Sequence, residues 1–264
     1  MVNNQADLPE DISTVSFLPT FISYAQNFED VMLWRALKTI QNGFYVDVGA
    51  NDPIIDSVTH AFYLKGWRGI NIEPVVAHYH DLQTVRPEDV NLQIAVSDHE
   101  GFLAFYETEI RGLSTASSRV VNQHKKDGIQ IISYEVPTKT LTSILDVYSP
   151  KQIHFLKVDV EGLEEQVLRG LDFTRYRPWI LIIEATLPNS QVMSYEEWDG
   201  YLIEMDYLFV YFDGLNRFYL AKEHGELAFA FELPPNVFDY FEQYRFVQLQ
   251  QAYEVLKTKK IEGE

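Results

Sequence analysis

The stretch Phe44-Tyr45-Val46-Asp47-Val48-Gly49-Ala50-Asn51 contains the strongest indication of the fold. Its apolar run is short enough for a buried strand, and Gly49 lets the backbone turn tightly and approach a ligand closely. A helical stretch at residues 57–65, closed by Gly66, separates this strand from a second one at residues 69–73. Strand–helix–strand units of this kind build parallel sheets, whose ligands lie beyond the carboxyl ends of the strands.

The same alternation continues along the chain. It predicts helices at residues 31–37, 75–85, 141–148, 161–169 and 195–205, and strands at 91–96, 153–158, 179–183, 208–212 and 217–220. Residues 100–138 interrupt it as an insertion, with strands at 102–106 and 129–136 around a polar loop at 111–126. We therefore expect a Rossmann-like α/β fold: a mostly parallel twisted sheet, helices on both faces, and an insertion after the third strand.

Three regions follow from this pattern. Residues 1–22 are interpreted as an N-terminal arm, residues 23–234 as the α/β domain, and residues 235–264 as a helical tail. One interpretation of the tail is a solvated helix. The alternative is a helical linkage to another module, or a contact that forms an oligomer.

Composition excludes several classes of protein. A formal charge of −18 argues against a nucleic-acid groove, which needs clustered lysines and arginines, and against docking on anionic membranes. The absence of cysteine excludes disulfides and thiolate metal sites. Residues 1–20 lack the pattern of a signal peptide, and the longest apolar runs, such as residues 180–183, are too short to span a bilayer. We expect a soluble, cytoplasmic protein without membrane insertion.

Polar residues at two strand ends indicate a nucleoside site. Asp47 lies in the first strand, and Glu73, 26 residues later, ends the second and is placed to accept hydrogen bonds from a ribose diol. A dinucleotide site needs further glycines at once, but the next one after Gly49 is Gly66. S-adenosylmethionine has no phosphate and needs only one close backbone approach, so it fits this pattern better than NAD.

Several motifs, in order, carry a family resemblance. They are residues 23–30, Val46-Asp47-Val48-Gly49-Ala50-Asn51, Ile72-Glu73-Pro74, Ala95-Val96-Ser97-Asp98, Gly112-Leu113-Ser114-Thr115 and Phe155-Leu156-Lys157-Val158-Asp159-Val160-Glu161-Gly162. Over roughly residues 23–241 the chain resembles the FkbM methyltransferases, in particular sugar-acting members. The resemblance implies a class I methyltransferase fold, S-adenosylmethionine as donor, and O-methylation of a sugar in a glycan or natural product.

The resemblance also implies roles for individual residues. Asp47, Gly49 and Asn51 correspond to the loop at the methionine end of the donor. Asp52 and Pro53 stand where many relatives carry a second glycine, which sets this loop apart. Glu73, with Pro74, corresponds to the ribose site. The adenine pocket corresponds to Ala95, Val96 and Ser97, and Asp159 would lie beside the transferable methyl.

A sugar hydroxyl must lose its proton during attack, and two kinds of group are candidates to assist. Asp159 and Glu184 follow adjacent strands and are expected either to act on the proton directly or to hold Mg²⁺, which prefers oxygen ligands. Alternatively, Asp159 caps the helix that follows it. His124, in the insertion, is the histidine candidate for a base, with a structural role as its alternative.

The acceptor is expected to contact Ser114 and Thr115 in the insertion, and Asn216 and Arg217 near the end of the domain. A plain hairpin turn at Asp213-Gly214 is the other interpretation of that last segment. Free sugar, nucleotide-activated sugar, polymer end and lipid-linked glycan all stay open as acceptors.

Two other functions compete with methyl transfer. One is an NAD-dependent nucleotide-sugar dehydrogenase or epimerase. The sequence lacks the phosphate-binding glycines of that class, and its Tyr253–Lys257 pair lies in the terminal helix. The other is a non-catalytic module built on a methyltransferase fold.

Overall fold

A computed structural model describes residues 21–262, and the expected arm, residues 1–22, lies almost entirely outside them. The strands within that range are β1 (Phe21–Ser23), β2 (Phe44–Val48), β3 (Arg68–Ile72), β4 (Val90–Leu92), β5 (Ala95–Val96), β6 (Gly101–Thr108), β7 (Ile131–Lys139), β8 (Phe155–Val158), β9 (Ile180–Glu184), β10 (Tyr207–Phe212), β11 (Asn216–Ala221) and β12 (Phe241–Gln243). The helices are α1 (Glu29–Leu37), α2 (His60–Leu64), α3 (Val76–Val85), α4 (Ser118–Lys126), α5 (Leu141–Tyr148), α6 (Glu164–Arg169), α7 (Asp199–Glu204) and α8 (Tyr244–Glu262).

Seven strands form the central sheet in the order β10-β11-β9-β8-β2-β3-β4. The pairs from β9 through β4 are parallel, whereas β11 runs antiparallel to both of its neighbours. Helices and their apolar side chains cover both faces, which confirms the expected Rossmann-like α/β fold. The chain order reverses between β2 and β8, and at such a switch point the loops diverge and leave room for a ligand.

One predicted strand is divided between two sheets. Residues 91–96 were expected to be continuous, but β4 pairs with β3 in the central sheet, while β5 pairs with β7 in a separate sheet of order β5-β7-β6. The strand divides because Ala95 and Val96 pair with Thr138 and Lys139, at the end of the insertion, instead of with β3. The insertion is therefore joined to the domain by a sheet of its own.

The expected polar loop at 111–126 contains a helix. Ser117 caps α4 by accepting a hydrogen bond from the amide of Val120, and Val120, Val121 and His124 form its buried face. Only three of its nine residues are buried, so the helical periodicity is masked by polar residues in the sequence. Helix α6 also differs from the prediction, since it begins at Glu164 rather than at residue 161.

The tail begins in contact with the domain. Strand β12 pairs in parallel with β1, and Arg245 at the start of α8 forms an ion pair with Asp56. Further along, α8 exposes Phe246, Leu249, Tyr253 and Leu256. The expected linkage or oligomer through this tail stays a prediction.

Candidate active site

A cavity of about 780 Å³ lies at the carboxyl ends of the parallel strands. Its size is typical of small-molecule sites, at about 300–1,000 Å³. The predicted site residues that line it are Gly49, Asn51, Glu73, Pro74, Ala95, Val96, Ser114, Asp159 and Glu184. These residues come from β2, β3, β5, β8, β9 and the insertion, so the fold brings together positions far apart in the sequence.

Gly49 sits at the tightest point of the first loop. Its φ of 78° lies in the left-handed region, and a Cβ added there would lie 1.8 Å from the carbonyl oxygen of Asp159. Its amide donates to the carbonyl of Ile72, which ties the loop to the end of β3. Only glycine fits this position, because both the backbone conformation and the space exclude a side chain.

Glu73 is held in a fixed orientation at the cavity wall. One carboxylate oxygen accepts from the amide of Asn51 at 2.9 Å, and the other accepts from the amide of Val75 at 2.8 Å. Each oxygen retains a second lone pair for a ligand hydroxyl. Pro74, Ala95 and Val96 continue the wall beside it, so the arrangement suits a nucleoside.

Asp47 lies behind the cavity wall. Its carboxylate accepts a hydrogen bond from Thr59 at 2.8 Å and lies 3.5 Å from the ammonium of Lys157. Asp47, expected on the donor side, therefore does not line the cavity. Ser97 is also buried and does not line the cavity; its hydroxyl donates to Asp98.

Lys157 connects the first loop to the acids at the end of β8. Its buried ammonium donates to the carbonyl of Gly49 at 3.0 Å and lies 3.2 Å from the carboxylate of Asp159. Burial lowers the pKa of Lys157, but the Asp159 and Asp47 carboxylates raise it more, so the net pKa lies above its ordinary value. The side chain is therefore a buried cation in the cavity lining.

Asp159, Glu161 and Glu184 form a cluster of carboxylates, which we call the acidic cluster. One oxygen atom from each lies within 4.8 Å of the others. The side chain of Asp159 is 33% exposed, whereas Glu161 and Glu184 are buried. Asp159 is thus the member of the cluster most accessible to an incoming acceptor.

The acidic cluster is short of positive charge. Burial raises the pKa of Glu161 well above its ordinary value, as do the neighbouring Asp159 and Glu164 carboxylates. Burial also raises the pKa of Glu184, and the charges of Asp159 and Glu161 raise it further. Glu184 hydrogen-bonds to Asp159 as well. Burial raises the pKa of Glu164 to about 7, against the opposing hydrogen bond from Gly162. These groups favour a proton or a cation.

Asp159 does not cap a helix. The residue before α6 is Leu163, which makes no side-chain cap, and Asp159 instead contacts Lys157 and Glu184. Glu161 and Gly162 have φ values of 56° and 99°, and these left-handed conformations keep them out of α6. The capping interpretation is therefore wrong.

The loop after β2 is anchored to the insertion by Arg111. Its guanidinium donates to the side chain and the carbonyl of Asn51, and lies 3.4 Å from Asp52. Asp52 also accepts from the amides of Ile54 and Ile55 at 2.8 Å. Asp52 therefore replaces the missing glycine with a turn stabilised by its own side chain, and it does not line the cavity.

His124 does not line the cavity. It is 3% exposed and its Nε2 hydrogen-bonds to the carbonyl of Leu113 at 3.0 Å. Thr115 is fully buried nearby and donates to the carbonyl of Glu161 at 2.7 Å. His124, expected as a base, thus supports the insertion, and Thr115, expected to contact the acceptor, supports the turn after β8; neither residue lines the cavity. Ser114 does line the cavity.

Asn216 and Arg217 also lie away from the cavity. Asn216 is buried and donates to Glu29 and Asp213, at the hairpin turn that was the alternative interpretation. Arg217 stacks 3.8 Å from the ring centroid of Phe209 and donates to Asp199. Both side chains, expected to contact the acceptor, are occupied in structural contacts and do not line the cavity.

Sequence reasoning did not single out Lys157, Glu161 or Arg111 as site residues. Lys157 and Glu161 belong to the quoted motif around Asp159, and a lysine inside an apolar strand was the available signal. Arg111 gave no signal, because its contacts with Asn51 and Asp52 depend on how the insertion folds.

The sheet topology, the single close backbone approach and the cavity at the strand ends define a Rossmann-like α/β protein. Its family is more specific: the model of the methyltransferase FkbM domain matches residues 47–209, more than half of the chain. The chain belongs to the FkbM methyltransferase family. A search of the curated proteins finds no match.

This membership decides against the NAD-dependent alternative. The tyrosine–lysine pair that such an enzyme needs would be Tyr253 and Lys257, but both lie on the exposed face of α8.

Within residues 21–262, no helix combines the length and apolar character required to cross a bilayer. The cytoplasmic location stays a prediction.

Proposed function

We propose that the protein transfers the methyl group of S-adenosylmethionine to a hydroxyl oxygen of a sugar. The observation that carries the proposal is the position of the acidic cluster, which lies in the same cavity as the Gly49 loop and Glu73. A donor bound between Glu73 and Gly49 would direct its methionine end towards Asp159. The acceptor would then approach the donor from the side of Asp159 and Glu184.

The donor would be held by few groups. Glu73 would accept hydrogen bonds from the ribose hydroxyls, while Ala95 and Val96 would pack against the adenine. The backbone from Gly49 to Asn51 would lie beside the amino-acid end. Asp47 would act indirectly, since it holds Lys157 and Lys157 holds the carbonyl of Gly49.

The reaction is an in-line displacement at carbon. A bond forms between the acceptor oxygen and the methyl carbon, the carbon–sulfur bond breaks, and the sulfonium leaves as a neutral thioether. The hydroxyl proton passes to a carboxylate of the acidic cluster, with Asp159 as the accessible member. Holding donor and acceptor in line supplies much of the acceleration, because displacement depends steeply on alignment.

Uncharged polar side chains in the cavity lining support a polyhydroxylated acceptor. Gln26, Asn189 and Gln191 line the cavity together with Ser190, and their side chains offer both donors and acceptors. Uncharged groups of this kind pair with hydroxyls without favouring an ionised ligand. They therefore support a sugar rather than an aromatic acceptor.

Charge at the cavity favours a sugar portion without phosphate. The described lining residues include five acids, and its arginine and lysine, Arg111 and Lys157, are both already paired with carboxylates. A diphosphate would be repelled from such a wall. Of the open acceptors, a neutral sugar or glycan end fits better than a nucleotide-activated sugar.

The test is transfer of label from S-adenosylmethionine carrying a radioactive methyl group. We expect label in neutral glycosides or glycan ends, stable to mild base because an ether differs from an ester in this respect. Asp159→Asn should reduce transfer at saturating donor, with Asp172→Asn, outside the cavity, as the matched control. Donor binding with no transfer to any acceptor in a broad panel would instead support a non-catalytic module.

A further inference from the structure

Glu161 occupies a constrained turn between β8 and α6. Its φ of 56° costs a residue other than glycine about 1–2 kcal/mol, so other contacts must hold it there. Thr115 donates to its carbonyl oxygen at 2.7 Å, and the side chain of Glu164 accepts from the amide of Gly162 at 3.0 Å. The turn places the Glu161 carboxylate in the cavity wall beside Asp159 and Glu184.

The carboxylate of Glu161 is incompletely satisfied. Its Oε2 atom is buried and has no hydrogen-bond partner among the described residues. The nearby ammonium of Lys157 contacts Asp159 and Asp47 instead. An unpaired buried carboxylate costs on the order of several kcal/mol, so a group that supplies positive charge would relieve it.

We propose that Asp159, Glu161 and Glu184 together bind one divalent cation of the kind that prefers oxygen ligands. This inference rests on the proposed function, since it places the ion beside the acceptor hydroxyl. It extends the Mg²⁺ site expected at Asp159 and Glu184 by a third ligand from a residue whose oxygen is otherwise unpartnered. The ligand set contains no histidine or cysteine, which disfavours zinc and copper.

The spacing of the oxygens fits one ion. Oxygen ligands lie about 2.0–2.1 Å from Mg²⁺ and about 2.3–2.6 Å from Ca²⁺, so opposite ligands are about 4–5 Å apart. The cluster's oxygens lie within 4.8 Å of one another, which is inside this range. Three protein ligands leave coordination positions for water and for an acceptor oxygen. When bound, the ion would lower the pKa of such a hydroxyl.

The experiment titrates the full chain with Mn²⁺, without donor or acceptor, and follows the free ion by electron paramagnetic resonance. We expect one Mn²⁺ per chain, displaced by Mg²⁺. Glu161→Gln should weaken binding at least about tenfold, since loss of an outer-shell partner alone typically costs about 10–100-fold and Glu161 would be a direct ligand. Glu165→Gln is the matched control, because Glu165 pairs with Arg169 outside the cluster.

A second measurement covers the folding of the variant. Mg²⁺ should raise the midpoint of thermal unfolding of the wild type, and this shift should be absent in Glu161→Gln. Glu184→Gln is assayed in parallel under the same criterion, in case the first variant does not fold. No Mn²⁺ binding by the wild type, or equal binding by wild type and both cluster variants, would overturn the proposal.

Binding of S-adenosylhomocysteine to the same samples separates the two proposals. A chain that binds this product but no Mn²⁺ retains the proposed donor site and loses the cation. In that case the acidic cluster is neutralised by protons. A chain that binds neither fails both proposals.

Discussion

The ammonium of Lys157 lies 3.0 Å from the carbonyl oxygen of Gly49, and this contact links the loop after β2 to the strand that ends at the acidic cluster. The same ammonium lies 3.5 Å from Asp47. One buried side chain thereby sets the position of the proposed donor loop relative to Asp159. Asp47, which does not line the described cavity, is connected to the site through Lys157.

Replacing Lys157 with methionine tests this link. Lys157→Met keeps the length of the side chain but leaves Asp47 and Asp159 without their cation, so we expect at least about a tenfold loss of donor affinity. Breaking such a buried pair also costs about 3–5 kcal/mol of stability. Calorimetry and urea unfolding measure the two effects. Lys222→Met, in an exposed ion pair, is the control; unchanged donor affinity in Lys157→Met contradicts the link.

Gly49 and Gly66 both have left-handed backbones, so comparing their alanine variants distinguishes a steric clash from backbone strain. A Cβ at Gly49 would overlap the carbonyl of Asp159, whereas a Cβ at Gly66 would meet nothing within 4 Å. We expect Gly66→Ala to cost about 1–2 kcal/mol and to leave donor binding intact. Gly49→Ala should cost more and abolish donor binding. Equal losses in the two variants, measured by unfolding and calorimetry, would show that the close approach at Gly49 has no role.

His124 is predicted to be structural. His124→Gln can restore the hydrogen bond to the carbonyl of Leu113, so we expect a stability change of about 1 kcal/mol and a loss in kcat of less than about tenfold. Loss of a general base would reduce kcat by about 10²–10⁴-fold. A decrease in kcat of that size with unchanged donor affinity would show that His124 acts as the general base.

Buried acids in α1 make stability depend on pH. Burial, and then the charge of Asp213, raise the pKa of Glu29 to about 8, and burial raises that of Asp30 to about 7. The folded state therefore holds protons that the unfolded chain releases. The free energy of unfolding should fall as pH rises from about 5 to 8, by up to about 1.4 kcal/mol per pH unit for each proton.

Denaturant unfolding at a series of pH values measures this slope. Glu29→Gln removes one titrating group and should flatten the curve between pH 6 and 8, where Glu29 still carries its proton. Glu88→Gln, at an exposed position, should leave the slope unchanged. Parallel curves for the wild type and Glu29→Gln would mean that Glu29 is ionised in the folded protein.

The positions of Gly49 and Glu73 in the cavity could be predicted from the sequence because local rules determine them. Gly49 and Glu73 follow short buried strands, and strand ends of a parallel sheet meet at one edge whatever the distant contacts are. Most helices and strands of the central domain followed from the same periodicity, whereas helix α4 of the insertion did not. Their order in the sheet is consistent with the expected fold.

The acceptor side depends on contacts that periodicity does not encode. His124 was predicted as a base because residues 111–126 were expected to form a loop. Helix α4 instead directs its side chain to the carbonyl of Leu113. Asn216 was expected to be free at a hairpin, but its side-chain amide donates to the buried Glu29, 187 residues away in the sequence. Glu161 was expected in a helix, and its left-handed backbone instead aims it at the cavity.

Calorimetry with S-adenosylhomocysteine tests the central claim, the donor site, most directly. We predict heat of binding with the wild type, at least about a tenfold weaker affinity in Glu73→Ala, and wild-type affinity in the exposed control Glu88→Ala. Thermal unfolding of the three proteins confirms that each is folded. Absence of binding to the folded wild type, or equal affinity in wild type and Glu73→Ala, would contradict the donor site described above.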